Sequence, residues 1–154
     1  MSFFKGIQRG IGAMLGGEEA RFSLLHVDDL VDLIMTVLDP AVANRQTLEP
    51  DDGKEGGHGW QAMIAAAEHA FGKTAFRVRI PATLLQLIGH ANAGLRLFPG
   101  YTPMLTPEKV RELTHPDWVA NCQEIRTATG WSPRIPVDRG FRATIDWYRL
   151  HSWL

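Results

Sequence analysis

The sequence has little with which to cross-link, anchor or steer itself. One cysteine, Cys122, in 154 residues excludes an intramolecular disulfide. That suits a reducing compartment, so a cytoplasmic location is expected. No apolar run approaches the ~20 residues that cross a bilayer, and no membrane partner is expected. Lys5 and Arg9 interrupt the only apolar N-terminal segment, so no secretory signal is expected either. Neither sign of charge prevails: 16 Lys and Arg against 17 Asp and Glu leave a net charge of -1, without the basic footprint that nucleic acid requires. Internal repeats and low-complexity tracts are absent. So is metal-ligand spacing, since His26, His58, His69, His90, His115 and His151 include no i, i+4 pair and no Cys/His cluster, and no metal is expected. Ser23 lacks the context of an activated nucleophile, and Cys122 reads as a small buried apolar residue. Asp51, Asp52 and Glu55 read as a solvated loop face rather than an acid/base pair. No catalytic constellation emerges from the residues alone.

What is present suits one soluble domain spanning residues 1–154, with 45% apolar and 21% charged residues. The chain is organised around residues 21–38, RFSLLHVDDLVDLIMTVL. The apolar run of Phe22, Leu24, Leu25 and Val27 predicts a short strand covered on both faces. Asp28 and Asp29 then read as caps, because an Asp side chain accepts hydrogen bonds from the unpaired N–H groups of a helix start. Asp32 places further negative charge in the first turn. Leu30, Leu33, Ile34, Val37 and Leu38 recur at helical spacing, and Pro40 ends the helix.

Elsewhere, residues 2–15 carry Phe3, Phe4, Ile7, Ile11, Met14 and Leu15 at helical spacing, which predicts one amphipathic helix ended by Gly16 and Gly17. Gly10, Gly12 and Gly16 do not make a dinucleotide loop, since no strand precedes them and no helix opens after them. Residues 46–49 predict a short strand, followed by the loop PDDGKEGGHG, which is expected to be mobile or ligand-facing. Trp60–Phe71 predicts a helix closed by Gly72, and residues 75–80 a half-exposed strand. Pro81 starts a further helix that Gly89 and Gly94 bend or break, and Pro99-Gly100 is a turn. Thr106 caps TPEKVREL, Asn121 caps a helix to Thr129 ended by Gly130, and Val137–Leu150 is the last helix. Residues 114–118 read as a connector.

Three stretches together carry a family resemblance. RFSLLHVDDLVDLI resembles the strand-helix unit in the C-terminal half of extended short-chain dehydrogenase/reductases, which include the NAD-dependent epimerase/dehydratase family of nucleotide-sugar enzymes. FRVRIPATLL resembles the strand and Pro-started helix that follow. LTPEKVREL with WVANCQEIRTATGWSPRIPVDRGFRATIDWYRLHSWL is similar to the C-terminal segment, including its Gly-aromatic-x-Pro turn, here Gly130-Trp131-Ser132-Pro133. The family's glycine-rich fingerprint and Tyr-x-x-x-Lys pair are missing: Tyr101 is followed four positions later by Leu105, and Tyr148 by Ser152.

The resemblance therefore implies an α+β fold, mainly helical with a few short strands, that is the C-terminal subdomain of a Rossmann-type enzyme without its dinucleotide-binding half. It implies the substrate-binding portion of an NAD(P)-dependent nucleotide-sugar epimerase or dehydratase, not competent alone. NAD(P) is implied for the full-length family and no cofactor for this chain alone. A stand-alone interaction module, or one half of a split enzyme, are the alternatives. By the same resemblance Arg21 lies close to a diphosphate-gripping Arg, one position early, and Arg111 near a second such position. His26 sits on the substrate side, and Asp29 matches the acid of Val-x-Asp-Leu, mostly a structural cap. The implied partners are a nucleotide-sugar and either a further copy of this chain or a Rossmann-domain chain covering the open strand edge.

Overall fold

In a computed structural model the described residues are 2–39, 42, 47–95, 103 and 105–154. In chain order they form helix α1 (Ser2–Gln8), strands β1 (Ile11–Leu15) and β2 (Arg21–Phe22), helix α2 (Val27–Val37), strand β3 (His58–Gly59), helix α3 (Trp60–Phe71) and strand β4 (Phe76–Ile80). Helices α4 (Ala82–Gly94) and α5 (Pro107–Leu113), strand β5 (Asp117–Trp118) and helices α6 (Gln123–Thr129) and α7 (Val137–Leu150) follow. This is the expected α+β fold, mainly helical with short strands. The strands make two small sheets. In one, β1 runs parallel to β4, with Ile11 opposite Phe76 and Leu15 opposite Ile80. In the other, β2 lies between antiparallel β3 and parallel β5.

The first correction concerns residues 2–15, which are not one helix. Gly10 adopts a positive φ of 83°, open to glycine at little cost, and turns the chain after α1. Residues 11–15 then take their hydrogen bonds from β4, bracketed by Phe76 N–H donating to Gly10 O at 2.8 Å and Gly16 N–H to Ile80 O at 3.1 Å. The helical spacing of Ile11, Met14 and Leu15 does not exclude a strand, in which Ile11 and Leu15 share one face and Met14 takes the other, and pairing with a distant strand decides.

The second correction concerns residues 22–27. Regular pairing ends after Phe22: the Ser23 N–H makes the last ladder bond, to Trp118 O of β5 at 2.8 Å, and the Ser23 hydroxyl accepts from Ala120 N–H at 3.0 Å. The helix starts at Val27, and its N-cap is His26, whose Nδ1 accepts from Asp28 N–H at 3.2 Å. Asp29 does not cap this helix. It is 3% exposed, and its carboxylate accepts from the N–H groups of Arg134 (3.1 Å) and Ile135 (2.9 Å), holding the lead-in to α7.

The remaining elements keep close to expectation. Gly72 and Gly130 end α3 and α6 in the left-handed region. Thr106 caps α5 through Lys109 N–H, with Pro107 at its first turn. Asn121 accepts from Gln123 N–H at 2.9 Å at the head of α6, although Cys122 occupies the cap position itself. Pro81 is the N-cap of α4 rather than a residue of its first turn, and the helix passes through Gly89 unbroken. The connector after α5 contains β5. Residues 47–49 form no strand, and Pro40, Gln46, Leu97, Pro99, Gly100 and Tyr101 lie outside the described residues.

Two apolar clusters hold these elements. In the first, Phe4, Ile7, Ile64, Ala67, Ala75 and Ile145 join α1, α3 and α7, with the Phe4 ring edge-on to Phe141 at 5.0 Å. Ile7, Ile64 and Ile145 are fully buried, each contributing roughly 1.5–3 kcal/mol of transfer free energy. In the second, Leu33, Ile125 and Trp131 join α2 to α6, with Trp131 Nε1–H donating to Asp32 at 3.0 Å. The opposite side of α2 is uncovered: Val27, Leu30, Val31, Ile34, Met35 and Leu38 are exposed, Met35 at 64% and Leu38 at 67%. A helix apolar on both sides has only half of its burial here. Among the described residues no helix is long and apolar enough to cross a membrane.

Candidate substrate cavity

The sequence of β1, the turn after it and β2 places Arg21 at the mouth of a cavity of about 290 Å3, lined also by Met14, Glu18, Gly59, Trp60 and Arg79. Three local features build it. Arg21 pairs across β2–β3 with Gly59, where a Cβ would lie 2.9 Å from Arg21 Nη1, so glycine leaves room for the guanidinium. That nitrogen donates to the carbonyls of Ala20 (3.0 Å) and Glu18 (3.1 Å), fixing the side chain against the turn. Trp60 opens α3 beside it, with its indole N–H donating to Leu15 O at 3.1 Å and its ring edge-on to Phe22 at 5.0 Å.

Arg79 reaches the same cavity from β4. The alternation FRVRI directs Arg77 and Arg79 to one face. Arg77 is occupied by Glu68 (2.9 Å) and Gln61 (3.0 Å), whereas Arg79 meets the carboxylate of Glu18 at 2.9 Å. Two guanidiniums beside an indole make a site suited to phosphate oxygens and a planar ring. The alternation signalled that these arginines share a face. The convergence of Arg79 with Arg21 depends on the β1–β4 pairing, which sequence reasoning missed.

His26 belongs to a separate, apolar cavity of about 290 Å3 between the start of α2 and α7, lined by Leu24, Leu25, Ile135, Phe141 and Asp52. Gly140 packs on its ring, where a Cβ would lie 3.0 Å from His26 Cδ2. Arg111 is exposed on α5, 3.7 Å from Glu108, and lines neither cavity. The structure does not bring the three residues together.

The acids of the 50–59 loop are not a solvated face. Asp51 is 3% exposed and accepts from Gly53 N–H at 2.8 Å and from Ser23 at 3.4 Å. Asp52 lies 2.7 Å from His58 Nε2, with the two side chains 6% and 7% exposed. Glu55 alone is exposed as expected. Cys122 is buried beside Asp51, and burial first, then the Asp51 carboxylate, push its thiol above the ordinary 9.0, which makes it a poor nucleophile. Among the described residues no group of three or more His, Cys, Asp or Glu is placed to hold a metal ion.

Gly16 and Gly17 do not make a dinucleotide loop. They follow β1, but the chain then turns into β2 rather than opening a helix, and the Gly16 N–H is spent on Ile80 O. A pyrophosphate cradle needs these N–H groups free at a helix start.

No protein-family model matches the chain. It is 26% identical over 142 residues to a ceramide reductase of Caulobacter vibrioides, covering 89% of this chain and 42% of that protein. Its fold is similar to that of UDP-glucose 4-epimerase of Thermotoga maritima, solved with UDP-glucose, at a TM-score of 0.64 and 14% identity over 98% of this chain and 39% of that one. UDP-glucuronic acid 4-epimerase of Bacillus cereus, solved with UDP-glucuronic acid and NAD, matches at a TM-score of 0.57 and 11% identity over 97% and 38%. The chain thus spans about two fifths of the length of the proteins it matches.

Proposed function

We propose that this chain, whose fold is similar to part of the UDP-sugar 4-epimerases, is the C-terminal, substrate-binding portion of an NAD(P)-dependent epimerase, dehydratase or reductase of the extended short-chain dehydrogenase/reductase kind. The observation that carries this reading is the cavity in which Arg21, Arg79 and Trp60 converge. It offers charge for a diphosphate and a flat apolar wall for a base, as a nucleotide-sugar requires. Nicotinamide chemistry belongs to the remaining three fifths of such an enzyme. This chain's contribution is to hold the substrate in register with it. The uncovered stripe on α2 is the surface on which that remainder packs, whether on one polypeptide or as a separate chain.

The test is a calorimetric titration with UDP-glucose. Arg21→Ala abolishes the saturable heat, while Arg111→Ala, outside the cavity, leaves it unchanged. Equal binding by the protein and its Arg21→Ala variant rules the cavity out. The likeness to a ceramide reductase favours a second reading, in which the cavity takes the polar head of a lipid substrate.

A further inference from the structure

One residue engages both arginines of the cavity. Glu18 sits in the turn between β1 and β2, where its backbone carbonyl accepts from Arg21 Nη1 at 3.1 Å and its carboxylate accepts from Arg79 Nη1 at 2.9 Å. Its side chain is 69% exposed and that of Arg79 51%, so the pair lies at the cavity mouth rather than in the core. Exposed pairs of this kind are held weakly and exchange readily.

We propose that Glu18 is the specificity-determining residue of this cavity: an intramolecular counter-ion that a phosphate must displace from Arg79, so that it lowers the affinity for phosphate-bearing ligands without excluding them and leaves neutral groups unaffected. This rests on the cavity being the substrate site. A phosphate that enters must take the Arg79 guanidinium from Glu18, and it then sits beside a displaced carboxylate of its own sign. A neutral group, such as a nucleoside base or a sugar hydroxyl, meets neither obstacle. Selectivity built from a repulsive element acts against one ligand class without new contacts to the other. The geometry also separates the arginines. Arg21 is held by backbone carbonyls, which do not compete as anions, whereas Arg79 is held by a charge. Removing that charge changes anion binding through Arg79 alone.

The experiment compares the protein with Glu18→Gln, titrating inorganic pyrophosphate and uridine separately, with UDP-glucose as the reference ligand. Glu18→Gln is expected to bind pyrophosphate about two- to fivefold more tightly, as loss of an exposed ion pair allows, and uridine with unchanged affinity. Adding Arg79→Gln to Glu18→Gln removes the gain. Pyrophosphate affinity unchanged in Glu18→Gln, or a gain that survives Arg79→Gln, overturns the assignment. If UDP-glucose binds while Glu18→Gln gives no gain, the role of Glu18 fails and the cavity stands as the substrate site. If no variant binds any of the three ligands, both fail together.

Discussion

Asp29→Ala should be among the most damaging single changes in this chain, although the residue lines neither the Arg21 cavity nor the His26 cavity. Its carboxylate is 3% exposed and accepts from two consecutive backbone N–H groups, Arg134 and Ile135, 105 and 106 residues further on. Alanine leaves both donors without this acceptor in a partly buried stretch of backbone. An orphaned buried donor costs about 1–3 kcal/mol, so the pair together costs up to about 2–6 kcal/mol. For a chain of this size each kcal/mol lowers Tm by about 2–4 °C, which gives a fall of up to roughly 4–24 °C. Asp29→Asn keeps an acceptor oxygen but loses the charge on it and should fall about halfway between. Urea unfolding followed by tryptophan fluorescence reads the effect, since Trp131 packs against Leu33, one turn from Asp29 on the same side of α2. The midpoint should fall while the slope is unchanged. An Asp29→Ala midpoint indistinguishable from the original, or an Asp29→Asn variant less stable than Asp29→Ala, would refute the reasoning.

Three further outcomes follow from the same geometry. Breaking the buried Asp52–His58 contact by His58→Leu leaves the Asp52 carboxylate only the Lys54 N–H at 3.3 Å and should destabilise by about 1–3 kcal/mol, read by the same urea titration; an unchanged midpoint would contradict the role of the contact. The Glu68 carboxyl is held below its ordinary 4.5, first by the Ala75 N–H at 2.6 Å and then, against burial, by Arg77. A carboxyl depressed in the folded state gives stability that is present at neutral pH and lost as pH falls through the folded value, so Glu68→Gln should flatten the acid side of a Tm-against-pH profile; a profile of unchanged slope would exclude it. Ile34→Glu on the open side of α2 should reduce concentration-dependent self-association in sedimentation velocity with little loss of stability, and a clean monomer at high concentration before any substitution would count against that side being sticky.

The parts of the fold that are legible in the sequence are those decided locally. α3, α5 and α7 announce themselves through periodicity and through Gly72, Thr106 and Pro107, and β4 through the alternation of Phe76, Arg77, Val78, Arg79 and Ile80. The parts that are not legible depend on partners far along the chain. Ile11, Met14 and Leu15 satisfy a helix as well as a strand until β4, 65 residues later, supplies hydrogen bonds. Asp29 looks like a cap until its true partners appear more than a hundred residues on, and His26, an unusual cap residue, takes that place. The 50–59 loop looks solvated by composition, yet Asp51 and Asp52 turn inward because Gly53, Ser23 and His58 meet them there. For the site, Arg21 is visible through the family resemblance, whereas Glu18 and Trp60 carry no motif and Arg79 lies in a resembling stretch that assigns it no role; they join Arg21 only through the pairing of β1 with β4 and of β2 with β3.

The central claim is that this chain supplies the substrate-holding part of a two-part catalyst and not the part that holds nicotinamide. A calorimetric comparison of UDP-glucose and NADH, titrated into the same preparation of the chain, tests it most directly. The account predicts a weak saturable isotherm for UDP-glucose and no saturation by NADH up to ~1 mM, which bounds any affinity to weaker than about −4 kcal/mol. Saturable NADH binding at micromolar concentration by the chain alone would contradict it.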